Sequence, residues 1–231
     1  MKLLMFVIAG ALAVGQTAES IVQKHVDAIG GLTALKAVQS LRISGQLVMG
    51  GGQSEVPFQA VWKAPNRSWV QYSLQGQKVM EGFDGTAKWI QNPFLSPGAF
   101  PANLDDTAAA TEETALFEDS LVNFKEKGSA IELVGREEGS FKIKVKLKSG
   151  HLQTVFVDAT TYLVTKVDKP GQTSMVPGNF KTVAGIQIPT SVQVRLNGRV
   201  GMELQIDKTE VNAAVDDAIF QMPPPIPAQK L

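Results

Sequence analysis

From residue 141 to residue 148 the chain alternates without a break. Phe141, Ile143, Val145 and Leu147 stand on the odd positions, Lys142, Lys144, Lys146 and Lys148 on the even ones. Successive side chains of a strand point to opposite faces, so only a half-buried strand gives each set a single environment. Such a strand needs a sheet around it and a cover over its apolar side. The flanking sequence supplies the sheet. Period-two stretches fall at 130–136, 140–148, 151–158 and 161–168, with Ser149-Gly150 and Ala159-Thr160 as turns. Three more fit 174–183, 186–197 and 200–210. An earlier meander reads as strands at 41–49, 54–63, 67–75, 77–83 and 86–91. Its connectors, Gly50-Gly51-Gly52, Pro65-Asn66, Gln75-Gly76 and Asp84-Gly85, are turn residues at hairpin spacing.

The helical signals are few. Ile21, Val22, His25, Val26 and Ile29 recur at helical spacing, which predicts an amphipathic helix over 20–29 ended by Gly30-Gly31. Leu32, Leu35 and Val38 extend the pattern by a turn or two. Asp105-Asp106-Thr107 can cap a third helix running to Phe124, after a proline-rich irregular loop over 92–105. The tail from Ala218, with Pro223-Pro224-Pro225, is expected to lie extended against the body. The expected fold is mainly β (α+β): a strongly curved, half-open antiparallel β-barrel of about 10–11 strands covered by helices.

The N-terminus has the form of an export signal. Met1-Lys2 precedes an apolar run from Leu3 to Val14, and small residues follow at Gly15 and Ala18. The run is about 12 residues, short of the roughly 20 that span a bilayer as a helix. The expected organisation is a signal peptide over 1–18 and a single domain over 19–231, with cleavage after Gly15 as the alternative to Ala18. The mature chain is then expected in the periplasm. It has no cysteine, so its core must hold the fold without disulfides. The 22 basic and 22 acidic residues balance, which argues against a nucleic-acid partner. A monomer is expected.

Catalytic patterns are missing. There is no Gly-x-Ser-x-Gly elbow and no phosphate-binding loop; Gly50-Gly51-Gly52 joins two strands instead of a strand and a helix. Neither His25 nor His151 has a nearby Cys or a second His at metal-ligand spacing. The acid pairs Asp105-Asp106, Glu112-Glu113, Glu137-Glu138 and Asp216-Asp217 read as caps and solvated surface, and the lysines of 142–148 as a solvated outer face. No enzyme, cofactor or metal is expected.

The aromatic residues of the first meander carry more. Val56, Phe58, Ala60 and Trp62 share a strand face; Val70, Tyr72 and Leu74 share the next, and Met80, Trp89 and Phe94 can join them. One reading is an ordinary core. The other is a lined apolar cavity, with Phe58, Trp62, Val70, Tyr72, Met80, Trp89 and Phe94 as its ligand-binding residues.

These stretches resemble a known family. Trp62-Lys63-Ala64-Pro65-Asn66, Asp84-Gly85-Thr86-Ala87-Lys88-Trp89 and Asn92-Pro93-Phe94 are similar to the LolA/LolB-type periplasmic lipoprotein carriers, best over 57–94. Weaker similarity continues at Gly30-Gly31-Leu32, at Val157-Asp158 through Thr161 and Leu163, and at Phe220-Gln221-Met222-Pro223-Pro224. The resemblance implies a curved sheet under a helical lid, acyl chains of lipoproteins or lipids as cargo, and an inner-membrane transporter or outer-membrane acceptor as partner. One position departs from the family. Ala64 stands where the carriers place an arginine between Lys and Pro, a residue tied to lid closure and cargo release. The alternative function is an envelope sensor or assembly factor that uses the same fold to bind a protein.

Overall fold

The computed structural model describes residues 16–103, 119–169, 171 and 173–224. Two meanders build the molecule. The first comprises β1 Ser40–Met49, β2 Ser54–Lys63, β3 Arg67–Leu74, β4 Gln77–Phe83, β5 Lys88–Gln91 and β6 Phe100–Pro101. The second comprises β7 Ala130–Glu137, β8 Ser140–Lys146, β9 Leu152–Asp158, β10 Val164–Lys169, β11 Thr173–Val183, β12 Ile186–Leu196 and β13 Arg199–Val211. Antiparallel pairing of β1 with β13 joins them, from Leu41 opposite Val211 to Met49 opposite Met202. The spatial order is β6-β5-β4-β3-β2-β1-β13-β12-β11-β10-β9-β8-β7.

This order corrects the expected barrel. The thirteen strands form one open sheet, neither closed into a barrel nor strongly curved, and its outermost strands β6 and β7 do not pair. Strand number alone does not force closure, because each end has its own stop. β6 is two residues long and ends on Pro101, which has no N–H to donate to a further strand. β7 carries a pairing irregularity between Leu133 and Gly135 and three exposed charged side chains.

Two helices lie on one face. α1, Ala18–Ala28, starts where Thr17 accepts a hydrogen bond from the Ser20 N–H. It ends at Gly30, whose φ of +121° suits glycine and whose missing Cβ leaves room for the Gly185 carbonyl. There the Gln187 N–H donates to the Ile29 carbonyl at 3.0 Å, fixing the helix end to β12. α2, Gly31–Lys36, follows directly. The described end of the expected third helix, 119–124, is not helical, and turns run on to 128; the rest of that helix lies outside the described residues.

Register sorts the side chains. Leu41, Ile43 and Leu47 of β1, Phe58 of β2, Phe141, Ile143 and Val145 of β8, Val155 and Val157 of β9 and Ile186 and Ile188 of β12 face the helices and form one core with Ile21, Val22 and Val26 of α1. We call this the helix face. The other face carries Lys142, Lys144 and Lys146, as the alternation requires. On that face Phe156 stays buried because the Lys142 and Lys166 ammonium groups lie over its ring, at 5.4 and 3.8 Å from its centre.

Candidate functional site

The expected ligand-binding residues divide between the two faces. Phe58 lies opposite Tyr72, Ala60 opposite Val70 and Trp62 opposite Ser68, so Phe58, Trp62, Val70 and Tyr72 share the helix face. Phe58 is buried, while Trp62 and Tyr72 are half-buried against the core and Val70 is exposed. Met80 pairs with Gln71, and Trp89 with Gly82, in rows one residue out of step. Both therefore stand on the opposite face. Phe94 belongs to neither: it sits in the turn after β5, 48% exposed.

Trp89 has a specific partner on its face. After β13 the chain crosses the ends of β1, β2, β3 and β5 as a strap. Its carbonyls accept from those strands in order: Ala213 from Ser40 Oγ at 2.7 Å, Ala214 from Arg42 at 2.8 Å, Val215 from Lys63 Nζ at 3.5 Å and Phe220 from the Trp89 indole N–H at 2.7 Å. Asp216 caps a short 3-10 turn, Asp217–Phe220, by accepting from the Ala218 N–H. The next residue, Asp217, pairs with Lys63 and, at 2.7 Å, with Arg67. Hydrogen bonds from Lys63 and then Arg67 hold the Asp217 carboxyl below its ordinary range. The two cations flanking Ala64 are thus both engaged in holding the strap. The tail beyond Pro224 lies outside the described residues.

The helix face itself is covered unevenly. Register aligns Val167 with Met175, Met175 with Val194, Val194 with Met202 and Met202 with Met49. One row nearer the core, Pro177, Val192, Leu204, Leu47 and Val56 stand side by side. The inner row is largely closed, with Val192 2% and Leu47 7% exposed, whereas Met202 is 38% and Leu196, beside it on β12, 54% exposed. The outer row is a half-open apolar strip with three methionines among five residues. The sequence marked these positions only as alternating strand residues. Their signal was the period-two run Val192, Val194, Leu196 set against Met202, Leu204, Ile206.

Two further features bear on chemistry. A cleft of about 250 Å³ lies between α1 and residues 121–126, with Val22, Val26, Leu121 and Phe124 in its wall and Glu19 and Glu126 at its margin. Beside it, His25 is 1% exposed and joins α1 to the turns after residue 118. Its Nδ1 donates to the Tyr162 carbonyl at 2.8 Å, and its Nε2 lies 2.9 Å from Asp119 Oδ2. At that distance the Asp119 carboxylate attracts the protonated ring. Burial alone lowers the His25 pKa; the Asp119 carboxylate and the Tyr162 carbonyl outweigh it, and the net direction is upward from 6.5. This is a structural ion pair with both partners occupied. His151 is exposed at the start of β9. Among the described residues no three His, Cys, Asp or Glu side chains group as metal ligands.

Solved structures share this architecture. A LolA superfamily protein from Nitrosomonas europaea superposes with a TM-score of 0.58 at 14% identity, over 89% of this chain and 98% of that one. A putative outer membrane lipoprotein-sorting protein domain from Vibrio parahaemolyticus gives 0.54 at 11%, over 87% and 95%. The chain shares its fold with these two structures. Identities this low establish the fold alone. No family model matches the sequence, and no curated protein does.

Proposed function

We propose that the protein is a non-catalytic carrier of the cell envelope, holding hydrocarbon chains of a lipid or lipidated protein on the open strip of its helix face. The observation that carries this reading is the half-exposed row Val167, Met175, Val194, Met202 and Met49, continuous with the buried core. Each buried CH₂ contributes about 0.8 kcal/mol, so a chain laid along even part of two apolar rows binds appreciably. Methionine side chains adjust to cargo of varied shape. The likeness to LolA-superfamily structures supports a binding fold. The charged start, short apolar run and small-residue exit of the N-terminus support export to the periplasm. Thr17 caps α1 and Ala18 is buried in it, which favours cleavage after Gly15 over cleavage after Ala18. N-terminal sequencing of the exported chain decides between the two.

The test is direct. The mature chain is purified without detergent, extracted and analysed for lipid by mass spectrometry, and titrated with a fluorescent fatty acid. Lipid in the extract and saturable probe binding are expected, with binding lost in Val194→Glu. A chain that carries no lipid and binds no probe overturns the proposal.

A second reading has its own observation. Phe94 and Leu95 project 48% and 72% exposed from a turn near the sheet edge, held by Asn92 through the Phe94 and Leu95 N–H groups. A fixed apolar corner suits a protein partner. Under this reading Leu95→Glu removes a crosslinked partner and leaves probe binding intact; crosslinking that is unchanged by Leu95→Glu removes the case for it.

A further inference from the structure

The open strip has a charged end. Beyond the Val167–Met49 row, register places Lys169 opposite Thr173, Thr173 opposite Leu196 and Leu196 opposite Arg199. Lys169 is two residues beyond Val167 on β10 and shares its face; Arg199 shares the face of Leu196. A cation therefore stands at each end of this last row, with Thr173 and Leu196 between. The backbones of β10 and β13 are three strand spacings apart, about 14 Å. Two long, flexible basic side chains can close that distance on one group between them.

The acids of β10, β13 and neighbouring β2 that pair in register all take the opposite face. Asp168 pairs with Ser174 in register, Glu203 with Gln193 and Val48, Glu210 with Arg42 and Glu55 with Val48, rows that belong to the opposite face. There they have partners: Asp168 accepts from Ser174 Oγ at 2.7 Å and pairs with Lys166 at 3.2 Å, and Glu203 accepts from Gln193 Nε2 at 3.0 Å. Asp207 is the residue that the β1–β13 register skips. Among the described residues neither Lys169 nor Arg199 has an ion-pair partner. Lys208, the neighbouring cation of β13, differs in being paired with Glu210 at 3.1 Å. The helix face of β10–β13 thus ends in uncompensated positive charge directly above an apolar strip.

We propose that this end of the strip receives the phosphate of an anionic phospholipid, with its hydrocarbon chains on the rows from Val167 to Met49 and from Pro177 to Val56. The inference rests on the carrier reading and adds the polarity of the cargo and its direction on the sheet. Lysine and arginine at an apolar margin match a lipid phosphate in charge and in donor geometry. The carboxylates on the far face leave the attraction uncancelled.

Two fluorescent probes with the same labelled hydrocarbon chain test it: lysophosphatidylglycerol, with net charge −1, and zwitterionic lysophosphatidylcholine. The full mature chain is expected to bind the anionic probe about five- to tenfold more tightly, the size of effect given by two solvent-exposed charge contacts. The preference should shrink with added salt. Lys169→Gln with Arg199→Gln should erase it and leave the phosphatidylcholine affinity in place. Lys144→Gln with Lys146→Gln, on the opposite face, should change neither value. All four side chains face solvent at least in part, and equal melting temperatures confirm that the variants fold. Equal affinity of the wild-type chain for both probes overturns the headgroup site and leaves the carrier reading standing. A preference that survives in the Lys169/Arg199 variant, or disappears in the Lys144/Lys146 variant, overturns its location. Binding of neither probe overturns the carrier reading and this inference with it.

Discussion

The two ends of β12 are built alike and treated differently. Ile186, Ile188, Val192, Val194 and Leu196 all occupy the helix face, yet exposure runs from 0% at Ile186 to 54% at Leu196. At the first end α1 and α2 cover the strand, and the Gln187 N–H binds the Ile29 carbonyl. At the other end the same apolar pattern continues with less cover. Apolar alternation therefore reports which face a residue takes, and not whether the fold has filled the space above it. A sheet that needed its apolar residues only for stability would have polar ones where the cover stops. The carrier proposal rests on that contrast, with the open end as its binding surface and the covered end as the foundation.

The largest effect should come from the covered end. Ile188→Ala removes a fully buried side chain and should cost about 2–5 kcal/mol, read as a shift in the denaturant midpoint. A cost as small as that of an exposed substitution would break the contrast at its stable end. Next comes the strap on the far face. Trp89→Phe puts a smaller ring in place of the buried indole and strips the Phe220 carbonyl of its donor, the lost hydrogen bond alone costing about 1–3 kcal/mol. Limited proteolysis should then cut the strap first. Asp217→Asn should act in the same direction with a smaller effect, because Asp217 is exposed and its pairs with Lys63 and Arg67 are screened by solvent. Cutting elsewhere in the Trp89→Phe chain would show that the strap is held by something other than that hydrogen bond.

Stability should also follow pH through the pair that fixes the covering helix. His25 lies above its ordinary 6.5 and Asp119 below its ordinary 3.8, against the effect of burial in each case. The histidine contribution is complete below pH 6.5 and disappears as pH rises through the folded value. The aspartate contribution is complete above pH 3.8 and disappears as pH falls through its folded value. Thermal melts should thus be highest in the weakly acidic range and decline on both sides. His25→Gln should flatten the alkaline decline; a decline of unchanged slope would place its origin elsewhere.

Much of this was legible in the sequence because it depends on side-chain type. Strand positions, hairpin turns and the buried side of β8 follow from alternation and turn residues. So does the lysine face, which stands where the 141–148 pattern puts it. Three things were not legible, each for a physical reason. Closure depends on what the outermost strands do, and a two-residue edge strand leaves no periodic trace. The strap is held largely by its own carbonyl oxygens, which every residue carries; only Asp217 marks it, and in sequence that acid looks like ordinary surface. The division of Met80 and Trp89 from Phe58, Trp62, Val70 and Tyr72 depends on register, and a one-residue step across a hairpin moves a side chain to the other face.

The smallest stability effect is the most informative about function. Met202→Ala, at the open end, removes a side chain already 38% exposed and bordered by Met49 and Val194. The loss should fall below about 1 kcal/mol, since little burial is given up and the thinly covered site can relax. Hydrocarbon-probe affinity should nevertheless fall severalfold, because the truncated side chain is part of the proposed contact surface. Ile188→Ala should do the reverse, weakening the fold while leaving the affinity of the folded fraction unchanged. Measuring both variants for both properties crosses the comparison. A Met202→Ala chain that is markedly less stable and binds normally would mean that the open strip is core with incomplete cover, and the carrier reading would lose the observation on which it stands.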